Sequence, residues 1–258
     1  MTEMIKPLCP NALTMLALVF GVSALNKAMW GDWQWAVGFI LLAGFFDFMD
    51  GKVARILGVS SKFGAELDSL SDFVSFGVAP GFLMYNWTMD FAMRAEALRD
   101  ITYKPDAIGL YWWVVLFFAV CCASRLARFN TMLDEHHPAC WKHFFMGVPA
   151  PAGAGLGMLP LILWLAFNGE VDFFRHPVFV GFFVVFSGIM MASRVPTISL
   201  KHVHIAKNMR SFVGFCLLGF LCGIATFPWI SLSLLGLLYL CSIPMAMLAF
   251  ISLKRRTN

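Results

Sequence analysis

Four aspartates lie within one short stretch of a chain that is otherwise rich in apolar residues. They are Asp47, Asp50, Asp68 and Asp72, and a carboxylate at the centre of a bilayer helix costs about 3 kcal/mol. Neighbouring carboxylates cannot all stay ionised unless positive charge balances them. Oxygen ligands of this kind suit hard divalent ions such as Mg²⁺ or Mn²⁺, and paired ions in carboxylate sites promote displacement at phosphorus. The stretch therefore predicts a divalent-metal site with phosphoryl chemistry.

The spacing of the aspartates places each pair on one face of a helix. At 100° per residue, Asp47 and Asp50 point within about 60° of each other, and Asp68 and Asp72 within about 40°. Residues with little side chain share these faces, and bare backbone allows a bulky ligand to approach closely. These small residues are Gly51, Ala54 and Gly64.

The composition places these helices in a membrane. Of 258 residues, 60% are apolar and 13% are charged, whereas soluble chains carry about 25% charged residues. The apolar residues form runs of about 18 to 22, which is long enough to cross a bilayer as helices. We therefore predict an all-α, polytopic membrane protein. The eight predicted spans are 12–30, 33–54, 64–89, 108–128, 151–168, 177–198, 211–229 and 231–251.

The distribution of positive charge predicts the orientation of these spans. With eight spans both termini share one side, and most of the 19 lysines and arginines fall on that side. By the positive-inside rule, the termini and the aspartate-rich connection face the cytoplasm. We predict an integral protein of the inner (cytoplasmic) membrane, with its carboxylates at the interface, where a soluble substrate reaches them.

The aspartates belong to a longer pattern that resembles a known family. "DFMDGKVAR" (47–55), eight further residues and "GAELDSLSD" (64–72) fill every fixed position of the signature of the CDP-alcohol phosphotransferases, D-x-x-D-G-x-x-A-R followed by G-x-x-x-D-x-x-x-D. The resemblance implies a membrane enzyme with a six-helix core. It also implies transfer of a phosphatidyl or similar group from a CDP-linked lipid to an alcohol, with release of CMP.

The resemblance also implies roles for individual residues. Asp47 and Asp68 would bridge two divalent ions, Mg²⁺ or Mn²⁺, and Asp50 would hold one of them. Asp72 would hold the other and act as the general base. The residues implied for the nucleotide site are Asn11, Thr14, Gly51, Ala54, Arg55, Ser61 and Gly64.

Four further stretches resemble the bacterial phosphatidylserine synthases of this family. They are "SLSDFVSFGVAP" (69–80), "ASRLARFN" (123–130), "FFMGVPAPAGA" (144–154) and "SRVPTISLK" (193–201). The resemblance implies CDP-diacylglycerol as donor and L-serine as acceptor. Cationic and amide side chains in or near these stretches suit a carboxylate or phosphate. The residues predicted to bind serine or lipid phosphate are Arg125, Arg128, Asn130, Arg194 and Lys201.

The predicted organisation is a catalytic core over 1–210 and two additional helices with a basic tail over 211–258. The resemblance implies a homodimer, and nothing indicates a nucleic-acid partner. A sibling enzyme that uses glycerol 3-phosphate, inositol phosphate or choline is the alternative, and direct transfer and a covalent intermediate both stay open. A cation-coupled transporter is a further alternative, but its carboxylates would be expected near mid-bilayer.

Overall fold

The computed structural model describes residues 8–59, 61–97, 105–132, 144–198 and 210–257. Helices dominate the described residues, as the sequence predicts. They are α1 (Leu8–Met29), α2 (Trp33–Leu57), α3 (Lys62–Asp72), α4 (Ala79–Ala97), α5 (Pro105–Met132), α6 (Ala150–Gly157), α7 (Leu159–Ala166), α8 (Pro177–Ala192), α9 (Arg210–Thr226) and α10 (Pro228–Thr257). The shorter elements are a π-helical segment (Phe73–Val78), a 3₁₀ turn (Asp172–Arg175) and the strands β1 (Phe144–Met146) and β2 (Pro196–Ile198).

Small residues let the first two helices pack closely. The side of α1 that faces the protein is a stripe of buried small residues: Thr14, Ala17, Gly21, Ala24 and Ala28. Ala36, Ile40 and Ala43 are buried on α2, and their spacing leads directly to Asp47 and Asp50. Small residues at helix contacts permit close approach in a membrane, where packing rather than the hydrophobic effect drives association. The α1–α2 pairing thus brings the first aspartate pair against α1.

A short connection turns the chain from α2 into α3. Gly58 ends α2 in the left-handed region (φ 63°), where glycine pays no steric penalty. Ser61 then caps α3, because its hydroxyl accepts a hydrogen bond from the backbone N–H of Gly64 at 2.9 Å. This turn sets the second aspartate pair opposite the first.

The π-helical segment follows Asp72 directly and joins α3 to α4 without a break. Two serines near this junction bind α1. Ser71, on α3, donates to the carbonyl oxygen of Thr14 (3.2 Å), and Ser75, in the π-helical segment, donates to the carbonyl oxygen of Ala17 (3.3 Å). A single π turn inside a helix is rare and occurs often at functional sites. Here it begins directly after the last residue of the aspartate pattern.

An ion pair joins Asp90 on α4 to Arg175 in the 3₁₀ turn. Asp90 lies more than two helical turns beyond the π-helical segment. Arg175 donates to the carboxylate of Asp90 at 2.7 Å and to the carbonyl oxygen of Trp87 at 3.0 Å. The Arg175 side chain is 7% exposed and lies over the rings of Trp87 and Trp164. This contact ties the 3₁₀ turn to α4.

The helices have the surface of a membrane protein. Within the described residues, three helical segments are long and apolar enough to cross a bilayer: Leu8–Met29, Gly109–Thr131 and Pro228–Ser252. Large apolar side chains such as Trp35, Phe45 and Trp113 are exposed, and an exposed apolar surface of this extent indicates contact with lipid. The predicted polytopic all-α class is confirmed, and the count of eight spans stays a prediction.

Two of the predicted spans differ from the structure. The span expected over 151–168 is interrupted at Met158 between α6 and α7, because Pro160 has no backbone N–H to continue the helix. The span expected over 177–198 ends at Ala192. The residues that follow contain β2, which pairs antiparallel with β1, Phe145 lying opposite Thr197.

Candidate active site

The aspartates of the two helices converge on one point. Asp47, Asp50 and Asp68 each offer a carboxylate oxygen, and these oxygens lie within 4.8 Å of one another. Asp72 is not part of that group of three, but its carboxyl contacts that of Asp47. The structure therefore brings together all four predicted aspartates, with Asp47 between Asp68 and Asp72.

Hydrogen bonding fixes the carboxylate of Asp50, the least solvent-exposed of the four aspartates. Asp50 is 6% exposed, and the hydroxyl of Thr14 donates to its Oδ2. The same hydroxyl also lies 3.1 Å from the carbonyl oxygen of Pro10. Thr14 thus links the start of α1 to the aspartate cluster.

A cavity of about 180 Å³ opens beside the cluster, and Asp50 and Asp68 form part of its wall. The other residues of the wall come from α1, the end of α2, the connection and the start of α3. They are Pro10, Asn11, Thr14, Gly51, Ala54, Val59, Ser61, Gly64 and Ala65. Six of the seven residues predicted for a nucleotide site line this cavity.

The two glycines of the wall keep the cavity open in different ways. A methyl group on Gly64 would lie 2.9 Å from Asn11 Oδ1 and 3.0 Å from Ser61 Oγ, closer than carbon and oxygen normally approach. A methyl group on Gly51 would meet no atom within 4 Å, so it would stand in open space beside the cavity.

Arg55, the seventh predicted nucleotide residue, does not line the cavity. Its side chain is exposed, and its Nε donates to the carbonyl oxygen of Gly51 one turn back, at 2.8 Å.

The residues predicted to bind serine or lipid phosphate are less closely gathered. Arg125 faces Asp47 and Asp72. Arg128 donates to the carbonyl oxygen of Ala192 at 2.7 Å, which ties α5 to the end of α8. Asn130 donates to Ser69 Oγ at 2.9 Å, Arg194 is exposed, and Lys201 lies outside the described residues.

The donor set fits a hard divalent cation. Carboxylate oxygens from separate helices lie within 4.8 Å of one another, close enough for one ion to bind them, and Arg125 is the guanidinium that faces them within the described ranges. Because one positive charge does not balance four carboxylates, an added cation would relieve their repulsion. The residues that would hold it are Asp47, Asp50 and Asp68, with Asp72 adjacent.

Sequence reasoning missed several residues of this region. Val59 and Ala65 line the cavity without any chemical signal of their own, and Ser71 on α3 and Ser75 in the π-helical segment bind α1. The serines were visible in the "SLSDFVS" stretch, but their partners on α1 are more than fifty residues away.

Comparison of the sequence with protein-family models identifies the family of this chain. The family model described as CDP-alcohol phosphatidyltransferase matches residues 7–200, which include the aspartates and the cavity. A second model, CDP-alcohol phosphatidyltransferase 2, matches residues 217–244. The chain belongs to the CDP-alcohol phosphatidyltransferase family, which confirms the resemblance drawn from the aspartate pattern.

Similar proteins carry one name in distant organisms. A CDP-diacylglycerol–serine O-phosphatidyltransferase of Mycobacterium leprae is 32% identical over 92% of this chain and 73% of its own length. A protein of the same name from Helicobacter pylori is 31% identical over 80% of this chain and 77% of its own length. A third, from Methanocaldococcus jannaschii, is 31% identical over 67% of this chain and 78% of its own length.

Proposed function

We propose that this membrane enzyme transfers the phosphatidyl group of CDP-diacylglycerol to the hydroxyl of L-serine, which forms phosphatidylserine and releases CMP. The observation that carries the proposal is that Asp50 and Asp68 belong both to the carboxylate cluster and to the wall of the cavity. A nucleotide in that cavity has its diphosphate beside the cluster. The names of the similar proteins support serine as the acceptor.

The cavity wall binds the CDP group in this proposal. Gly51 and Gly64 leave the backbone bare, so the nucleotide approaches the helices closely. Asn11 and Ser61 offer polar atoms at the same wall. Arg55 reaches the nucleotide only if its side chain leaves the carbonyl of Gly51.

The acceptor reacts on the side of the cluster where Asp72 lies. The serine hydroxyl oxygen attacks the phosphorus that carries the diacylglycerol, the bond from that phosphorus to the CMP oxygen breaks, and Asp72 takes the hydroxyl proton. Arg125 faces Asp72 and Asp47 and orients the negatively charged reactants. Bound divalent ions, two in our proposal and either Mg²⁺ or Mn²⁺, would neutralise the diphosphate and the departing CMP.

The cluster lies within about three helical turns of the connection where the chain turns from α2 into α3. We place this edge at the cytoplasmic face of the inner membrane, since most lysines and arginines fall on that side of the predicted spans. The lipid chains then stay in the bilayer while the head group reacts at its surface. Homodimer formation stays a prediction from the family resemblance.

The proposal is tested with purified protein in mixed micelles that contain CDP-diacylglycerol and Mg²⁺ or Mn²⁺. CMP release is measured with L-serine, glycerol 3-phosphate, inositol phosphate or choline, and without an alcohol. We expect release that depends on L-serine. CMP release that depends on another alcohol would show that this alcohol, and not serine, is the acceptor. Folded protein that releases no CMP with any of the alcohols would contradict the enzyme assignment.

A further inference from the structure

Tyr239 lies on α10, beyond the segment matched by the first family model, yet it lies near Arg125. Its side chain approaches the guanidinium of Arg125, the same guanidinium that faces Asp47 and Asp72. Packing explains this reach, since α10 lies against β2 and α7. The last helix thus contributes a polar group to the neighbourhood of the proposed reaction.

Two buried hydrogen-bond donors meet at this place without acceptors. The hydroxyl of Tyr239 and the Nε of Arg125 are both inaccessible to solvent, and neither has a hydrogen-bond partner among the described residues. An unsatisfied buried polar group costs about 1–3 kcal/mol, so such groups are rare unless a ligand completes them. Two such groups on residues that interact with each other are suited to a ligand that accepts hydrogen bonds.

The neighbours of Tyr239 do not supply that acceptor. The hydroxyl of Thr197 on β2 lies nearby and donates to the carbonyl oxygen of Gly147 at 2.9 Å. The two hydroxyls lack the geometry of a hydrogen bond in the described structure. Thr197 and Gly147 hold the small sheet in place and leave the phenol free to bind elsewhere.

The position of this pair separates it from the nucleotide cavity. Asp50 and Asp68 face the cavity, whereas Arg125 faces Asp47 and Asp72. Neither Arg125 nor Tyr239 lines the cavity wall. A nucleotide in the cavity therefore leaves the pair on the side where the general base and the acceptor lie.

We propose that Tyr239 and Arg125 together bind the carboxylate of the acceptor and so select an amino-acid alcohol over alcohols that lack a carboxylate. A phenol O–H and a guanidinium N–H are complementary to the two oxygens of a carboxylate. The bound carboxylate places the serine hydroxyl near Asp72. This inference rests on the proposed function, and it assigns acceptor specificity to a helix that the sequence left without chemistry.

The test compares Tyr239→Phe with the wild type. The substitution keeps the ring and removes the hydroxyl, so we expect the KM for L-serine to rise about tenfold, as loss of one hydrogen bond to a charged group predicts. The KM for CDP-diacylglycerol should stay within about twofold, which corresponds to less than one hydrogen bond. Tyr239→Leu, which also lacks the hydroxyl, provides a second variant if the first does not fold.

Tyr111→Phe is the matched control, because it also removes a buried tyrosine hydroxyl. That hydroxyl accepts a hydrogen bond from Thr88 at 3.4 Å, and it lies about 20 Å from Arg125 along α5 by the rise of the helix. We expect the control to leave the KM for L-serine unchanged. A loss of serine affinity in both variants would show a general effect on the fold and would overturn the inference.

Ethanolamine lacks the carboxylate of serine, so it shows whether the pair binds the carboxylate of the acceptor or a phosphate oxygen of CDP-diacylglycerol. Wild-type enzyme should have a higher kcat/KM for L-serine than for ethanolamine, and Tyr239→Phe should reduce the ratio of these two values. A rise in the KM for CDP-diacylglycerol instead would assign the pair to a phosphate oxygen and overturn the proposal. Wild-type protein that ignores serine altogether would contradict the proposed function, whereas serine-dependent wild type with an unaffected variant would contradict this inference alone.

Discussion

At the scale of residues, contacts with neighbouring side chains hold the four carboxylates together although their negative charges repel one another. Thr14 donates to Asp50, and Arg125 faces Asp47 and Asp72, but these contacts do not neutralise four carboxylates. Such a cluster is costly unless a cation completes it. Removal of divalent ions by a chelator should therefore abolish CMP release, and added Mg²⁺ or Mn²⁺ should restore it. Full activity in the chelator would contradict the metal assignment.

Asp72 has a distinct position, against Asp47 but outside the group of three. Substitution of Asp72 leaves the group of three carboxylates intact and removes only the proposed general base. Asp72→Asn should therefore lower kcat by about a hundredfold or more. Asp32→Asn is the control, since Asp32 forms an exposed pair with Lys27 that contributes little to stability. Unchanged kcat in Asp72→Asn would exclude this residue as the base.

Gly51 lets the cavity be tested without disturbing the fold. Alanine there adds a methyl group that meets no protein atom within 4 Å and stands beside the cavity. We expect the KM for CDP-diacylglycerol to rise about tenfold, or about 1.4 kcal/mol, with no loss of thermal stability. Gly38→Ala, in open space on the same helix, should leave the KM unchanged. Equal kinetics for both variants would place the nucleotide elsewhere.

At the scale of elements, the contact between α1 and the π-helical segment positions the second aspartate pair. A methyl group on Gly21 would lie 2.9 Å from the backbone Cα of Ser75, so α1 would have to move. Gly21→Ala should lower the stability by about 1–3 kcal/mol and reduce kcat, measured by thermal unfolding in detergent and by CMP release. Gly44→Ala, whose methyl would make an ordinary 3.6 Å contact with Phe76, should do neither. Equal effects of both would contradict a special role for this contact.

The pattern of small residues and aspartates predicted the local features of the site well, because spacing within a helix determines which residues share a face. Features that depend on distant contacts were not predictable in this way. Arg128 binds Ala192 and Tyr239 approaches Arg125, and each contact joins residues more than sixty positions apart. The pairing of β1 with β2 joins residues fifty or more positions apart. Local periodicity contains no information about such partners.

At the scale of the whole molecule, the distribution of positive charge predicts the orientation in the membrane. A fluorescent protein fused after Asn258 should fold and fluoresce, and alkaline phosphatase fused there should be inactive, because we expect the C-terminus in the cytoplasm. Active phosphatase at that position would reverse the orientation. The division into a core over 1–210 and two added helices stays a prediction, although α10 packs against α7 and β2 and is thus joined to the core.

The central claim is that the cluster transfers a phosphatidyl group to serine rather than to water. The most direct measurement supplies purified protein with CDP-diacylglycerol, a divalent ion and isotopically labelled L-serine, and quantifies CMP and labelled lipid together. We expect equimolar CMP and phosphatidylserine, with both products lost in Asp72→Asn. CMP without labelled lipid would show hydrolysis, and absence of both products from folded protein would contradict the transferase assignment.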